Sequence, residues 1–301
     1  MNPFRVHVPA TSANLGPGFD TLGLALNLWN ETTFETGAAR FRLDIEGEGA
    51  QSLPTDKTNA IYAAFATTYA AAKQTPPAGV HIHCLNRIPL GAGLGSSAAA
   101  ALTGILAANH LLNEVFDRGQ VIALATELEG HPDNVAPAML GGLTISAAGR
   151  NGPLTRRAAS PDLSLVVVIP DFRLATKKAR RALPDSYSRA DAVASVGRAA
   201  LVVEALRAND RALLAEAMAD SLHQPYRLPL IPGAAQALAA AQALGAAAAL
   251  SGAGPGVIAF PPADPQPVAR AMQAAFTAAG KASRALFLHT SADGARVKPA
   301  E

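Results

Sequence analysis

The residues best suited to chemistry form one stretch: Pro89, Leu90, Gly91, Ala92, Gly93, Leu94, Gly95, Ser96, Ser97, Ala98 and Ala99. Its alternating glycines carry no Cβ to hold a ligand away from the backbone. They also accept φ > 0, so successive N–H groups can converge on one concavity. The serines stand where an alanine-rich helix begins, and the unpaired N–H groups and dipole of a helix start attract anions. The pattern fits a phosphate cradle, and it also fits a flexible turn whose serines cap the helix. It is not a Walker A loop, because no lysine lies between Lys73 and Lys177. Nor is it the dinucleotide fingerprint, whose third glycine comes later.

Composition narrows the function classes. Of 301 residues, 50% are apolar and 16% charged, enough for packed cores and too apolar for a disordered chain. The net charge of +2 and the scattered arginines argue against a nucleic-acid partner. The single cysteine, Cys84, excludes an internal disulfide and any cysteine-based metal site. Uncharged runs at 88–113 and 228–263 are long enough to span a bilayer but are dominated by Ala and Gly, as in buried helices and tight loops. No apolar secretion segment opens the sequence, so a cytoplasmic protein without a membrane span is expected.

The elements that must position the loop follow from periodicity. Strands are expected near 5–8, 24–36, 41–46 and 79–86, the last feeding the loop, with a helix at 59–72. Helices follow at 96–112 and 117–129, the second halted by Gly130-His131-Pro132, and a strand at 142–147 closes this half. Residues 149–162 are polar with Gly and Pro, which places a domain boundary there: 1–155 and 156–301. Beyond it come strands at 163–169, 247–250, 257–260 and 284–290, and helices at 175–183, 188–208, 211–222, 234–244 and 268–279. The class is mixed α+β.

Three motifs occur in order: Val8-Pro-Ala-Thr-Ser-Ala-Asn-Leu-Gly-Pro-Gly-Phe-Asp20, the glycine-serine loop, and Leu250-Ser-Gly-Ala-Gly-Pro-Gly256. Together they resemble the GHMP kinases, named for galacto-, homoserine, mevalonate and phosphomevalonate kinases. The first motif is similar specifically to the homoserine kinases of that family. So are Glu129-Gly-His-Pro-Asp-Asn134, Thr176-Lys-Lys-Ala-Arg180 and Asp220-Ser-Leu-His-Gln-Pro-Tyr-Arg227. The resemblance runs from residue 5 to about 260. It implies an N-terminal ATP-binding domain with a left-handed β-α-β unit and a ferredoxin-like C-terminal domain, with the active site in the cleft between them. It further implies ATP and Mg²⁺ as cofactors, L-homoserine as substrate, a place in threonine biosynthesis, and a homodimer.

Phosphoryl transfer is mostly positioning plus charge neutralisation. By resemblance, the 89–99 loop cradles the phosphates, Ser97 touches phosphate or metal, and Asn59 lies near the nucleoside. Glu129 is the candidate magnesium ligand, a hard oxygen donor, with Glu127 its competitor. L-Homoserine is a zwitterion with a primary hydroxyl. Its carboxylate calls for arginine forks, and Arg180 and Arg227 match the family's pair, with Arg181 the neighbouring alternative. Its ammonium calls for oxygens such as those of Asn14 and Asp20, although both also suit a turn. His131 lines the acceptor pocket or simply ends a helix, Thr176 orients Arg180 or touches substrate, and Gly254 lets backbone approach the ligand. Mevalonate and galactose kinases carry an aspartate base seven residues before a Gly-Gly pair. Counting back from Gly141-Gly142 lands on Asn134, not Asp133. An amide cannot take a proton at neutral pH, so no dedicated base is expected in that register. A kinase for another small alcohol, or a silent ligand sensor on the same fold, are the rival readings.

Overall fold

The computed structural model describes residues 2–150, 152–159 and 161–300. Its first half runs β1 (Phe4–Ala13), β2 (Leu22–Thr36), β3 (Arg42–Gly47), α1 (Ala60–Ala71), β4 (Val80–Asn86) and α2 (Ser96–Leu111). It continues with α3 (Arg118–Glu129), α4 (Val135–Leu140), β5 (Leu143–Gly149) and β6 (Gly152–Ala158). The second half runs β7 (Ser164–Pro170), α5 (Thr176–Arg181), α6 (Arg189–Ala208), α7 (Arg211–Ala217), α8 (Gln224–Arg227) and α9 (Ala234–Ala243). It ends with β8 (Ala247–Leu250), β9 (Val257–Phe260), α10 (Pro265–Ala278), β10 (Ser283–His289) and β11 (Arg296–Pro299).

Two sheets result. The first orders its strands β11-β1-β2-β4-β3, with β5 on β2 and β6 on β5. Among the described strands only β3 and β4 pair in parallel, and α1 supplies the crossover between them. The second sheet is antiparallel in the order β10-β7-β9-β8. Read as strands one to four of this half, that is 4-1-3-2, the ferredoxin-like arrangement. Every other residue of β4 is buried, with Val80, Ile82, Cys84 and Asn86 facing α1 and α2. Phe34 of β2 stacks on Phe65 of α1, which meets Tyr69, so α1 is fixed on the sheet by aromatic area. No described helix is long and apolar enough to cross a membrane.

Several elements depart from the sequence expectations, α4 among them, which no periodicity announced. Residues 152–158, read as a polar boundary, form β6 and pair with β5; as an edge strand with alternating exposure it needs no apolar run. β11 was not foreseen because its four residues, Arg-Val-Lys-Pro, owe their conformation to pairing with β1 some 290 positions earlier in the chain. The helix expected at 211–222 stops at Ala217. The Asp220 carboxylate accepts the backbone N–H groups of Leu222, His223 and Gln224 and starts a separate turn, α8. The first sheet therefore holds residues from both sides of position 155.

The two halves are stitched where the active loops meet. Ser251 Oγ, after β8, donates to Gly93 O at 2.7 Å and lies 2.9 Å from Ser12 Oγ at the end of β1. Thr11 N donates to Leu94 O at 3.1 Å, and Gly252 N to Ala13 O at 3.1 Å. These groups are buried or partly buried and in reach of partners, so the seam has one low-energy register.

Candidate active site

A cleft of about 270 Å³ opens at this seam. Its floor is the glycine loop. Gly91, Gly93 and Gly95 have φ of 63°, 78° and 69°, which L side chains rarely adopt. A Cβ on Gly93 would sit 1.9 Å from Ser251 O, and one on Gly95 would sit 2.1 Å from Thr11 Oγ1. Gly95 itself is the N-cap of α2, so the serines lie inside the helix and do not cap it. The N–H groups of Ser96, Ser97 and Ala98 then have no partner within the helix. That is the donor array an anion requires. The Ala99 N–H already bonds Gly95 O at 2.9 Å, and the side chains of Ala98 and Ala99 are in the core. Pro89 borders a separate cavity behind the loop. Neither Pro89 nor Ala99 reaches the cleft.

Ser97 Oγ donates to Glu129 Oε1 at 2.5 Å, which joins the start of α2 to the end of α3. Both side chains border the cleft, whereas Glu127 faces a different cavity. Among the described residues no cluster of three or more His, Cys, Asp or Glu could hold a metal alone. A divalent ion here would be bound by Glu129 and Ser97 oxygens together with ligand phosphate and water, the usual pattern for Mg²⁺.

The opposite wall carries the charges. Asp20 and Arg180 form a two-pronged pair, with Arg180 Nη2 2.7 Å from Oδ1 and Nη1 2.9 Å from Oδ2. Each side chain is 35% exposed, so the pair faces the cleft. Asn14 holds the same loop: its Oδ1 accepts the Asp20 N–H at 3.0 Å and its Nδ2 donates to Gly252 O at 2.8 Å. Arg227 is buried to 2% exposure. Its Nη1 reaches Gly252 O and His223 Nδ1, both at 3.3 Å, while its Nε–H has no partner among the described residues. Burial, and then the charge of Arg180, pull its basicity down. Phe19 lies under both guanidinium groups, 5.6 Å from Arg180 and 5.1 Å from Arg227. Thr176, the first residue of α5, and Gly254 complete this wall.

Between floor and wall sit three residues of the α3–α4 turn. His131 Nδ1 is 2.5 Å from Asp133 Oδ1, and Asp133 is almost fully buried. Burial opposes the imidazolium, but the hydrogen bond and charge of Asp133 outweigh it and raise the His131 pKa. Asn134 Oδ1 accepts the Thr11 hydroxyl at 2.9 Å, and Asn134 borders the cleft. Thr11, fully buried, escapes sequence reading because only the fold brings it to Asn134, 123 positions away.

A second cavity of about 440 Å³ shares Gly91, Ser96 and Ser97 with the cleft. Ile45, Leu53, Pro54, Ile61 and Leu90 give it flat apolar walls suited to a base, with Asn30 and Asn86 as polar edges. Asn59 lines it, but its amide is occupied, capping α1 at Ile61 N and donating to Pro54 O. The Cys84 thiol in its wall is pushed up to about 11 by burial and stays neutral. These residues come from separate elements, and no spacing in the sequence announces them.

The fold and this loop-lined cleft define a small-molecule phosphotransferase of the GHMP type. The profile of the GHMP kinases N terminal domain matches residues 59–142, and that of the GHMP kinases C terminal matches 202–278. The chain belongs to the GHMP kinase family. Within it, the chain is 46% identical to a homoserine kinase of Moorella thermoacetica over 277 residues, 91% of this chain and 93% of the relative. It is 40% identical to a homoserine kinase of Desulfitobacterium hafniense, across 97% of this chain and 99% of that one. The crystal structure of a homoserine kinase from Cytophaga hutchinsonii superposes with a TM-score of 0.85 at 29% identity, covering 99% and 98% of the two chains.

Proposed function

We propose that this protein transfers the γ-phosphoryl group of ATP to the side-chain hydroxyl of L-homoserine, giving O-phospho-L-homoserine on the way to threonine. The observation that carries the acceptor is Arg227: a guanidinium almost fully buried, with an unpartnered Nε–H, beside a cleft that also holds the Asp20–Arg180 pair. A buried cation lacking an anion is costly, and a substrate carboxylate relieves it. A zwitterion can then take Arg180 and Arg227 with its carboxylate and Asp20 with its ammonium. A neutral sugar would leave those charges unmatched.

The nucleoside lies in the 440 Å³ cavity, with its phosphates along the glycine loop and the unpaired N–H groups of α2. The Glu129 and Ser97 oxygens suit Mg²⁺, which when bound neutralises charge on the phosphate oxygens. The acceptor oxygen bonds the γ-phosphorus as the β–γ bridge breaks, and ADP leaves. The Asn134 Nδ2, fixed by Thr11, is a donor and cannot take the hydroxyl proton. Asp133 is engaged by His131, whose pKa the Asp133 hydrogen bond and charge raise. The proton accordingly passes to a γ-phosphate oxygen, and these side chains act by positioning and by stabilising charge. A cytoplasmic homodimer belongs to the same reading and rests on family resemblance.

The test is ADP release from Mg-ATP with L-homoserine, D-homoserine, L-threonine, mevalonate and galactose as acceptors. Strong preference for L-homoserine is expected. Preference for mevalonate or galactose would overturn the assignment of the arginines while keeping the kinase.

A further inference from the structure

Arg227 needs a fixed orientation to serve as a carboxylate fork, and backbone provides only one of its contacts, Gly252 O. The other is His223, a fully buried side chain. Gly16 O lies 2.9 Å from His223 Nε2 and can only accept, so the ring proton sits on Nε2. Nδ1 is then a lone-pair acceptor, and it takes a hydrogen from Arg227 Nη1 at 3.3 Å. Gly252 O and His223 together engage Nη1, which leaves the Nε–Nη2 edge, the side-on fork that matches a carboxylate. Phe19 stacks on the His223 ring at 5.4 Å and on Arg227 at 5.1 Å, so histidine and guanidinium share one aromatic support. Phe19 and Gly16 both belong to the β1–β2 loop, whose Asn14 and Asp20 border the cleft.

We propose that His223 is a positioning residue for acceptor recognition: it holds Arg227 so that its side-on fork faces the substrate carboxylate, and it ties α8 to the loop carrying Asp20. This deepens the acceptor assignment above and rests on it. The groups facing the ring are Asp220 from its own turn, Arg227 from α8, and Gly16 and Phe19 from the loop, with Asp20 beyond. A neutral ring is the only state that accepts from Arg227. Burial, the largest influence, favours that state, and Arg227 adds to it against the opposing charge of Asp220.

The test separates orientation of Arg227 from general packing. L-Homoserine is compared with 3-aminopropan-1-ol, the same amino alcohol without its carboxylate, as substrate KM and as competitive Ki. His223→Phe keeps the ring and the stacking but removes both nitrogens. Its KM for L-homoserine should rise by about tenfold more than the Ki of 3-aminopropan-1-ol, the size of one lost hydrogen bond to a charged group. The KM for ATP should stay within about twofold. His223→Gln, which retains an amide acceptor and donor, should show a smaller loss of the same selectivity, and it carries the test if His223→Phe does not fold. Equal losses on both ligands, or no loss on either, would overturn the role of His223. A wild-type enzyme that does not phosphorylate L-homoserine would instead overturn the acceptor assignment, and this inference with it.

Discussion

Asn134 and Asp133 are neighbours in sequence with opposite surroundings, and their difference sets the chemistry. Asn134 accepts the Thr11 hydroxyl with its Oδ1, whereas the Asp133 carboxylate is buried against His131. Asp133→Asn should therefore keep turnover within about tenfold, because a positioning bond is altered and no base is lost. Glu129→Gln should lose about a hundredfold or more, because the carboxylate proposed to hold the metal is removed. Single-turnover rates with measured ATP affinity check both, and near-complete loss in Asp133→Asn would restore it as the base. The His131–Asp133 pair also predicts a pH dependence of stability. Its folded pKa is raised, so the contribution is fully present below the unfolded value of 6.5 and is lost as pH rises through the folded value. Thermal midpoints above pH 6.5 should fall less steeply in Asp133→Asn than in wild type. His223 acts in the opposite sense: burial lowers its pKa, so its share is lost as pH falls below 6.5. Of the side chains that border the cleft, Glu129, Arg180 and Arg227 were picked out in sequence by the motifs that carry the family resemblance. Thr11, Phe19 and His223 were not, since ordinary core residues carry no such mark.

The glycine-serine loop shows the difference between what an element's composition allows and what its neighbours require. All three alternate glycines have positive φ, yet a Cβ on Gly91 would meet nothing within 4 Å, while one on Gly93 would strike the Ser251 carbonyl. Gly91→Ala should destabilise by about 1–2 kcal/mol, the strain of a left-handed alanine, and keep ATP binding. Gly93→Ala must move backbone of the other half of the molecule, and should weaken ATP binding by more than tenfold. Equilibrium unfolding and ATP titration of the two variants distinguish the cases, and equal behaviour would refute the close-approach argument. Sequence alone treats the three glycines alike. The same holds for the serines, legible as helix-start residues but placed inside the helix once Gly95 takes the cap.

For the molecule as a whole, the C-terminal segment closes the first sheet. β11 covers the outer edge of β1 over four residue pairs, from Phe4–Pro299 to His7–Arg296. A chain ending at Ala295 exposes that edge and loses a few backbone hydrogen bonds. It should unfold with roughly 2 kcal/mol less stability, at a lower thermal midpoint. An unchanged midpoint would show that β11 contributes nothing to the sheet. Such long-range pairing also explains why the half from 156 onward cannot be read as structurally separate: its last strand completes the first sheet.

The sequence by itself determined the strands and helices with strong period, the glycine-serine loop, the motifs that resemble the family, and the charged residues that border the cleft. These follow from local spacing and from residue chemistry, which act over a few positions. Only the tertiary structure decided which edge of Arg227 stays unpaired, that Thr11 holds Asn134, and which residues wall the second cavity. It also decided that Asp20 and Arg180 meet. Each of those depends on atoms from separate elements arriving within hydrogen-bonding distance, and a hydrogen bond has no range along the chain.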